Sequence, residues 1–408
     1  MAPVFFPDIV ARVQCQCCGD CCRLGAIPLD ENSLARLKAR LEGNPLIPYP
    51  PFTTLEDERG KEVQVLNRVE GHCVFLDQNN LCLIHKGLGP EAKPRICQEF
   101  PRGAVFTPKG VFLTVSFACP AVLNYLKDKA PLRMGKTEEP NFSLPKDTSL
   151  SLMESFSFSW EEYLRLESSL LDILIRPEYS FEERLVMGDF LLQEIVKERL
   201  GGSLLEAYLV RQREEGYKNL FTRIRDIPPS IYIQFSFLET FLKTRLEFSH
   251  PPWSLFYSRD LNEGISFLLK NLSGLSGETI YYQAYSNLYQ PSLPALTPIL
   301  ERYFQIKLLG KHLTILPEVV RSYLFLVIYY VFIRFYSLTL ALKTNRPVDE
   351  ALILKSINFL ERYFVHSRQV RGFWTGLKDK FLDSPSLAAT LIKSLSQNLP
   401  RVTRHPVS

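Results

Sequence analysis

Cys15-Gln16-Cys17-Cys18-Gly19-Asp20-Cys21-Cys22-Arg23 is the stretch from which the rest of the chain can be read. Cys15, Cys18, Cys21 and Cys22 follow a C-x2-C-x2-C-C spacing, with Cys17 outside the pattern. So short a segment cannot give each sulfur its own apolar pocket. Thiolates gathered round a cation resolve the conflict, because the metal offsets their mutual repulsion. Gly19 and Asp20 favour a tight turn that aims the sulfurs inward.

The other cysteines extend this reading. All nine in the chain lie between Cys15 and Cys119, and none follows. Cys73 and Cys82 flank the turn Asp77-Gln78-Asn79-Asn80. Cys97 sits between Lys93-Pro94-Arg95 and Phe100-Pro101-Arg102, and Cys119 precedes Pro120. An odd number of thiols cannot all pair within one chain, and clustered thiols in a reducing compartment more often bind metal than form disulfides. The candidate ligands are therefore Cys15, Cys18, Cys21, Cys22, Cys73, Cys82, Cys97 and Cys119. They suit two four-ligand sites, or one site with accessory ligands.

Zinc favours paired C-x2-4-C knuckles, and the downstream cysteines are not paired in that way. C-x2-C-x2-C with a distant Cys-Pro is nearer the spacing around a [4Fe–4S] cluster. Zn2+ stays as the alternative. No register of these cysteines gives the C-x3-C-x2-C of a radical S-adenosylmethionine loop. The metal has two possible roles, chemical or purely structural, since a small loop-rich region needs staples. His72 and His85 are ligands, donors to ligands, or plain loop histidines. The forked guanidiniums of Arg95 and Arg102 suit a cofactor's carboxylate or phosphate, and would equally offset thiolate charge.

Residues 1–130 read as an irregular α+β metal-binding domain. Asp30–Leu41 has a helical leucine face closed by Gly43. Strand-like runs follow at Glu62–Leu66, Cys73–Leu76 and Leu81–Ile84. Thr107-Pro108-Lys109-Gly110 predicts a hairpin between Ala104–Phe106 and Val111–Val115, and Ala118–Lys127 looks helical. Residues 131–158, rich in Pro, Ser, Thr and Lys, read as a linker.

Residues 159–408 read as a multi-helix domain, which makes the fold mainly α. Helices are expected at about 159–175, 180–200, 203–214, 229–245, 260–271, 295–309, 317–343, 349–366 and 386–398. Ser159/Glu162 and Ser180/Glu183 are capping boxes. Leu-Glu-Arg-Tyr-Phe occurs at both 300–304 and 360–364, a weak hint of repetition. The apolar run Tyr323–Leu342 is interrupted by Arg334 and reads as a buried central helix, since a membrane span wants about 20 residues with few or no charges.

The composition, 46% hydrophobic and 23% charged over 408 residues, excludes disorder as the main state. A net charge of +4 without a basic stripe gives no support for nucleic-acid binding. Met1–Val10 is short, contains Asp8 and lacks a basic start, so it does not read as a signal peptide, and a cytoplasmic location without membrane contact is expected. There is no P-loop, G-x-S-x-G, H-E-x-x-H or Rossmann glycine motif.

Five ordered segments carry a resemblance: Cys-Gly-Asp-Cys-Cys-Arg at 18–23, Cys-Val-Phe-Leu-Asp at 73–77, Leu-Cys-Leu-Ile-His at 81–85, Cys-Gln-Glu-Phe-Pro-Arg at 97–102 and Ser-Phe-Ala-Cys-Pro at 116–120. Together they resemble the cysteine-cluster, zinc- or iron-chelating proteins. With the long helical remainder, the set is closest to the flagellin lysine N-methylase branch. That branch spaces its first cysteines more widely and carries Gly-Trp after Cys-Cys, where this chain has Arg23-Leu24-Gly25. The resemblance implies transfer of a methyl group from S-adenosylmethionine to lysine amines of a flagellin-like protein substrate, with help from an iron–sulfur cluster. The alternative is a non-enzymatic zinc- or iron-binding or metal-delivery protein. Catalytic residues are not identified. A lysine nucleophile must be neutral, and Glu99 or Asp20 is a candidate base.

Overall fold

The hairpin forms where the turn residues predict it and seeds the sheet that carries the N-terminal region. The computed structural model describes residues 3–43, 46–47, 49–56, 60–139, 158–225, 227, 281–316, 318–365 and 387–392. Strand β1 is Val4–Pro7, β2 Phe52–Glu56, β3 Glu62–Leu66, β4 Arg68–Val69, β5 His72–Cys73, β6 Arg102–Thr107, β7 Gly110–Val115 and β8 Met134–Thr137. The main sheet has the order β6-β7-β1-β8. β6 and β7 are antiparallel, while β1 lies parallel to β7 with Val4 opposite Val111. Gly110 (φ +135) cannot be replaced freely, because a Cβ there would overlap the carbonyl oxygen of Pro3. β2–β3 and β4–β5 are two separate antiparallel pairs.

The short helices of this region are α1 (Asp8–Arg12), α2 (Glu31–Leu41), α3 (Leu83–Leu88), α4 (Arg95–Glu99) and α5 (Pro120–Leu123). Asp30 caps α2 by accepting from Ser33 N. Leu81–Ile84, expected as a strand, instead turns into α3 after a single bridge between Leu76 and Cys82. The reason is the Asp77 carboxylate, whose Oδ1 accepts from Asn79 N and Leu81 N at 2.8 Å each and reverses the chain there.

The body begins with α6 (Trp160–Leu174), α7 (Phe181–Lys197), α8 (Gly202–Glu214) and α9 (Lys218–Arg225). Both predicted capping boxes are present. Helix α9 was not expected; Leu220 and Ile224 are its buried residues, too few to show a clear period in the sequence. Beyond it lie α10 (Leu293–Leu309), α11 (Val319–Thr344), α12 (Glu350–Leu360) and α13 (Leu387–Ile392). The helices expected at 229–245 and 260–271, most of the 131–158 linker and most of 386–398 lie outside the described residues. The fold is mainly α, with a small α+β N-terminal region.

α11 is the axis of the body. By length and composition it could cross a membrane, yet 94% of its most apolar window is buried inside the protein. A helix enclosed by others needs no polar face, which explains its unbroken apolar sequence. The main apolar core is continuous from the sheet (Val4, Leu113, Phe117) into the body (Tyr163, Leu300, Tyr303, Ile353). A second, much smaller core of Leu29, Leu37, Leu66, Cys73, Phe75 and Ile84 supports the cysteine-bearing loops.

Candidate metal centre

The cysteine loop folds as a 3-10 turn over Asp20–Arg23, entered through Gly19 in the left-handed conformation (φ 71). Cys22 N donates to Gly19 O at 3.0 Å, which closes the turn. Its shape is held by guanidiniums. Arg23 Nη1 donates to Cys18 O at 3.2 Å, and its Nη2 to Asn80 Oδ1 at 2.6 Å. Arg68 Nη1 donates to Cys22 O at 3.3 Å and to Gly25 O, and its Nη2 to Gly71 O. From the far end of the chain, Arg362 Nη1 reaches Asp20 Oδ2 at 3.2 Å.

The downstream cysteines come from four separate elements. Cys73 lies on β5 opposite Arg68 of β4, Cys82 stands at the start of α3, Cys97 is inside α4 and Cys119 caps α5. All nine cysteines are free thiols. Cys21 Sγ and Cys22 Sγ are 4.0 Å apart. Cys22 lies against Cys73 and within electrostatic reach of Cys82. Cys97 is in reach of Cys22, Cys21 and Cys82, and Cys119 of Cys18 and Cys21. Cys15 is tied to this group through Cys17, whose N–H donates to Cys15 Sγ at 3.4 Å and which also neighbours Cys18. Cys15, Cys17, Cys18 and Cys21 are exposed, while Cys73 is buried.

Among the described residues, no three Cys, His, Asp or Glu side chains already stand at ligating geometry. The chemistry of the donor set nonetheless fits a soft cation. Cys21 is pushed up chiefly by its hydrogen bond with Cys22. The Cys21 bond pulls Cys22 down, but Cys73 and burial outweigh it and push Cys22 up to about 12. Burial raises Cys97 and Cys119, and the neighbouring sulfurs add to it. Crowded thiols resist becoming anions beside one another; a cation among them reverses that, and thiolates select zinc, copper(I) or iron–sulfur clusters. Positive charge is already close, since Lys93 acts electrostatically on Cys17, Cys21 and Cys97.

Neither candidate histidine is enclosed with the cysteines: His85 is exposed on α3, and His72 Nδ1 meets Glu70 O at 3.4 Å. Arg95 is engaged by Glu99, Nε to Oε1 at 2.6 Å, while Arg102 opens β6 opposite Val115. The two candidate bases are thus both ion-paired, Glu99 with Arg95 and Asp20 with Arg362. Sequence reading did not single out Arg68 or Arg362. Arg68 had no signal beyond its place five residues before Cys73. Arg362 lies in the second Leu-Glu-Arg-Tyr-Phe, noticed only as a recurrence.

The fold and site define a protein with a cysteine-cluster head on a helical body. Comparison with known proteins agrees with this division of chemistry. Residues 14–120 match the model "Putative zinc- or iron-chelating domain", of the C-x-x-C-x-x-C-C type. Residues 167–389 match the FliB lysine N-methylase C-terminal domain, which covers more than half of the chain, and the chain belongs to that family. Flagellar biosynthetic protein FliU of Salmonella muenchen is 27% identical over 143 residues, 34% of this chain and 83% of that protein. Lysine-N-methylase of Salmonella typhimurium is 28% identical over 121 residues, 28% of this chain and 30% of that protein. The match to the latter thus spans less than a third of its length. No solved structure matches this chain.

Proposed function

We propose that this protein is a protein-lysine N-methyltransferase whose N-terminal head carries a [4Fe–4S] cluster. The observation that carries the reading is the convergence of cysteines from five segments, on a chain whose body belongs to a lysine N-methylase family. Its ligands would be drawn from Cys15, Cys18, Cys21, Cys22, Cys73, Cys82, Cys97 and Cys119; four thiolates fill such a cluster, three leave one iron open, and the rest of the eight are accessory. The metal-binding unit, set at residues 1–130, extends through β8 (Met134–Thr137), which pairs with β1; the rest of 131–158 is the linker and 159–408 the helical unit. A bound cluster with an open position supplies a place to chelate the amino and carboxylate groups of S-adenosylmethionine, as open positions admit substrate at other metal sites.

The chain's own residues do the rest. Arg23 and Arg68 hold the carbonyls of Cys18 and Cys22, and so the backbone from which the sulfurs project. Arg68 also places positive charge beside Cys22 and Cys73. Arg95 and Arg102 bracket Cys97 in sequence and offset the charge of a thiolate-bound cluster or meet a cofactor carboxylate. The acceptor is a lysine on a flagellin-like protein, as the resemblance implies; the relatives' names speak of flagellar biosynthesis and of lysine N-methylation, and a cytoplasmic location fits that role.

Anaerobic purification tests the reading. The expected product is brown, absorbs near roughly 400 nm and holds about four irons per chain. Mixed with S-adenosylmethionine and flagellin, it should yield methyl-lysine detectable by mass spectrometry. A colourless protein with stoichiometric zinc overturns the iron assignment and favours the zinc alternative. Metal-loaded protein that neither binds S-adenosylmethionine nor methylates overturns the enzyme in favour of a metal-binding or delivery protein.

A further inference from the structure

One short stretch of the helical body, residues 358–362, grips two cysteine segments that are remote from each other in sequence. Arg362 Nη1 holds Asp20 Oδ2 at 3.2 Å, inside the turn that carries Cys18, Cys21 and Cys22. Asn358 Nδ2 donates to Phe117 O at 2.8 Å, two residues before Cys119. Between them, Glu361 is fully buried and accepts from Tyr303 OH at 2.7 Å and Lys307 Nζ at 2.5 Å. Tyr303 packs edge-on against the Phe117 ring at 5.0 Å, and Lys307 Nζ lies 5.6 Å from the centre of that ring. The two anchors are thus not loose surface contacts; they hang on a buried polar knot that joins α10 to the end of α12.

The head by itself pins the cysteine loop through Arg23 and Arg68, both on its own side. Among the described residues, the body reaches both segments, through Arg362 on the loop and Asn358 on the strand exit. We infer that residues 358–362 form a clamp that sets the separation of Cys119 from Cys18 and Cys21, so that the helical body closes the metal centre. Arg362 and Asn358 are positioning residues: they act on the ligands' backbone, not on the metal. This rests on the metal-binding reading given above. Groups that orient the ligands of a metal site typically change its affinity by about 10–100-fold.

The test uses the full chain and the metal it is purified with, iron or zinc, and follows the rate of metal loss to a ferrous or zinc-specific chelator. R362Q and N358A are each expected to release metal about tenfold faster at unchanged initial stoichiometry and helical circular dichroism. D20N probes the same contact from the exposed loop, where it does not threaten the body's fold, and should match R362Q. The double variant D20N/R362Q should be no worse than either single, because both remove one bond. R321Q, at an exposed pair with Glu318 on α11, is the control and should release at the wild-type rate. Wild-type release rates in folded D20N and N358A would overturn the clamp. A wild-type chain that retains no stoichiometric metal would instead overturn the metal reading itself.

Discussion

Arg334 Nη1 and Glu182 Oε1 meet at 2.7 Å with both side chains almost fully buried, at the centre of the helical body. Further hydrogen bonds reach both partners. Tyr330 OH and Tyr285 OH donate to the Glu182 carboxylate at 2.7 and 2.9 Å. Arg334 also donates to Ile392 O and Leu391 O at 2.9 Å each, fastening α13 to α11. Breaking a buried pair by removing one partner leaves an uncompensated charge and costs about 3–5 kcal/mol. R334M should therefore lower the denaturation midpoint sharply or prevent accumulation of folded protein. Chemical denaturation followed by circular dichroism checks this; a midpoint within error of the wild type would show the pair to be dispensable.

Asp189 offers a pH signature. It is buried on α7, its Oδ2 accepts from Gln193 at 2.5 Å, and its Oδ1 has no hydrogen-bond partner among the described residues. Burial raises its pKa to about 8. The folded state therefore holds this proton more tightly than the unfolded chain does. The contribution is fully present below the unfolded value of about 4 and is lost as pH rises through about 8. Wild-type stability should fall between pH 5 and pH 8, and D189N should flatten that slope and gain relative stability at pH 8. Urea unfolding of both proteins at the two pH values reads the difference directly.

The capping box at the start of α7 gives a smaller effect. Ser180 Oγ accepts from Glu183 N while Glu183 Oε2 accepts from Ser180 N, at 3.3 and 2.7 Å. S180A should cost about 1 kcal/mol, seen as a modest shift in thermal midpoint with helical content intact.

Cys17 and Cys22 separate ligand from bystander. Cys17 is exposed and left-handed (φ 53), whereas Cys22 lies against Cys73 under the loop. C17S should keep full metal content, and C22S should lose it. Equal loss in both would bring Cys17 into the ligand set.

Metal removal should act on one end of the molecule only. The loops that carry Cys22, Cys73 and Cys82 stand on a core of a few residues around Leu37 and Phe75, while the sheet and body share the large core. A small core cannot offset the chain entropy of long loops without help. Chelation should expose residues 15–100 to limited proteolysis while the helical circular dichroism persists. Simultaneous collapse of both would show that the head's metal also sustains the body.

Much of this protein was legible in its linear order. Cysteine spacing marked the head, because thiols so close in sequence have few alternatives to a shared cation. Serine and glutamate three residues apart marked the starts of α6 and α7, since a cap is satisfied within one helical turn. Thr107-Pro108-Lys109-Gly110 placed the hairpin for the same reason: the forces are local. Leu81–Ile84 was misread because a four-residue apolar run carries no period, and the Asp77 carboxylate decided its path. The tertiary structure alone decided what surrounds the cysteines. Arg362 meets Asp20 across 342 residues of sequence, and Arg334 meets Glu182 across 152. Such pairs leave no local trace, because a charge chooses its partner by distance in space after the chain has folded.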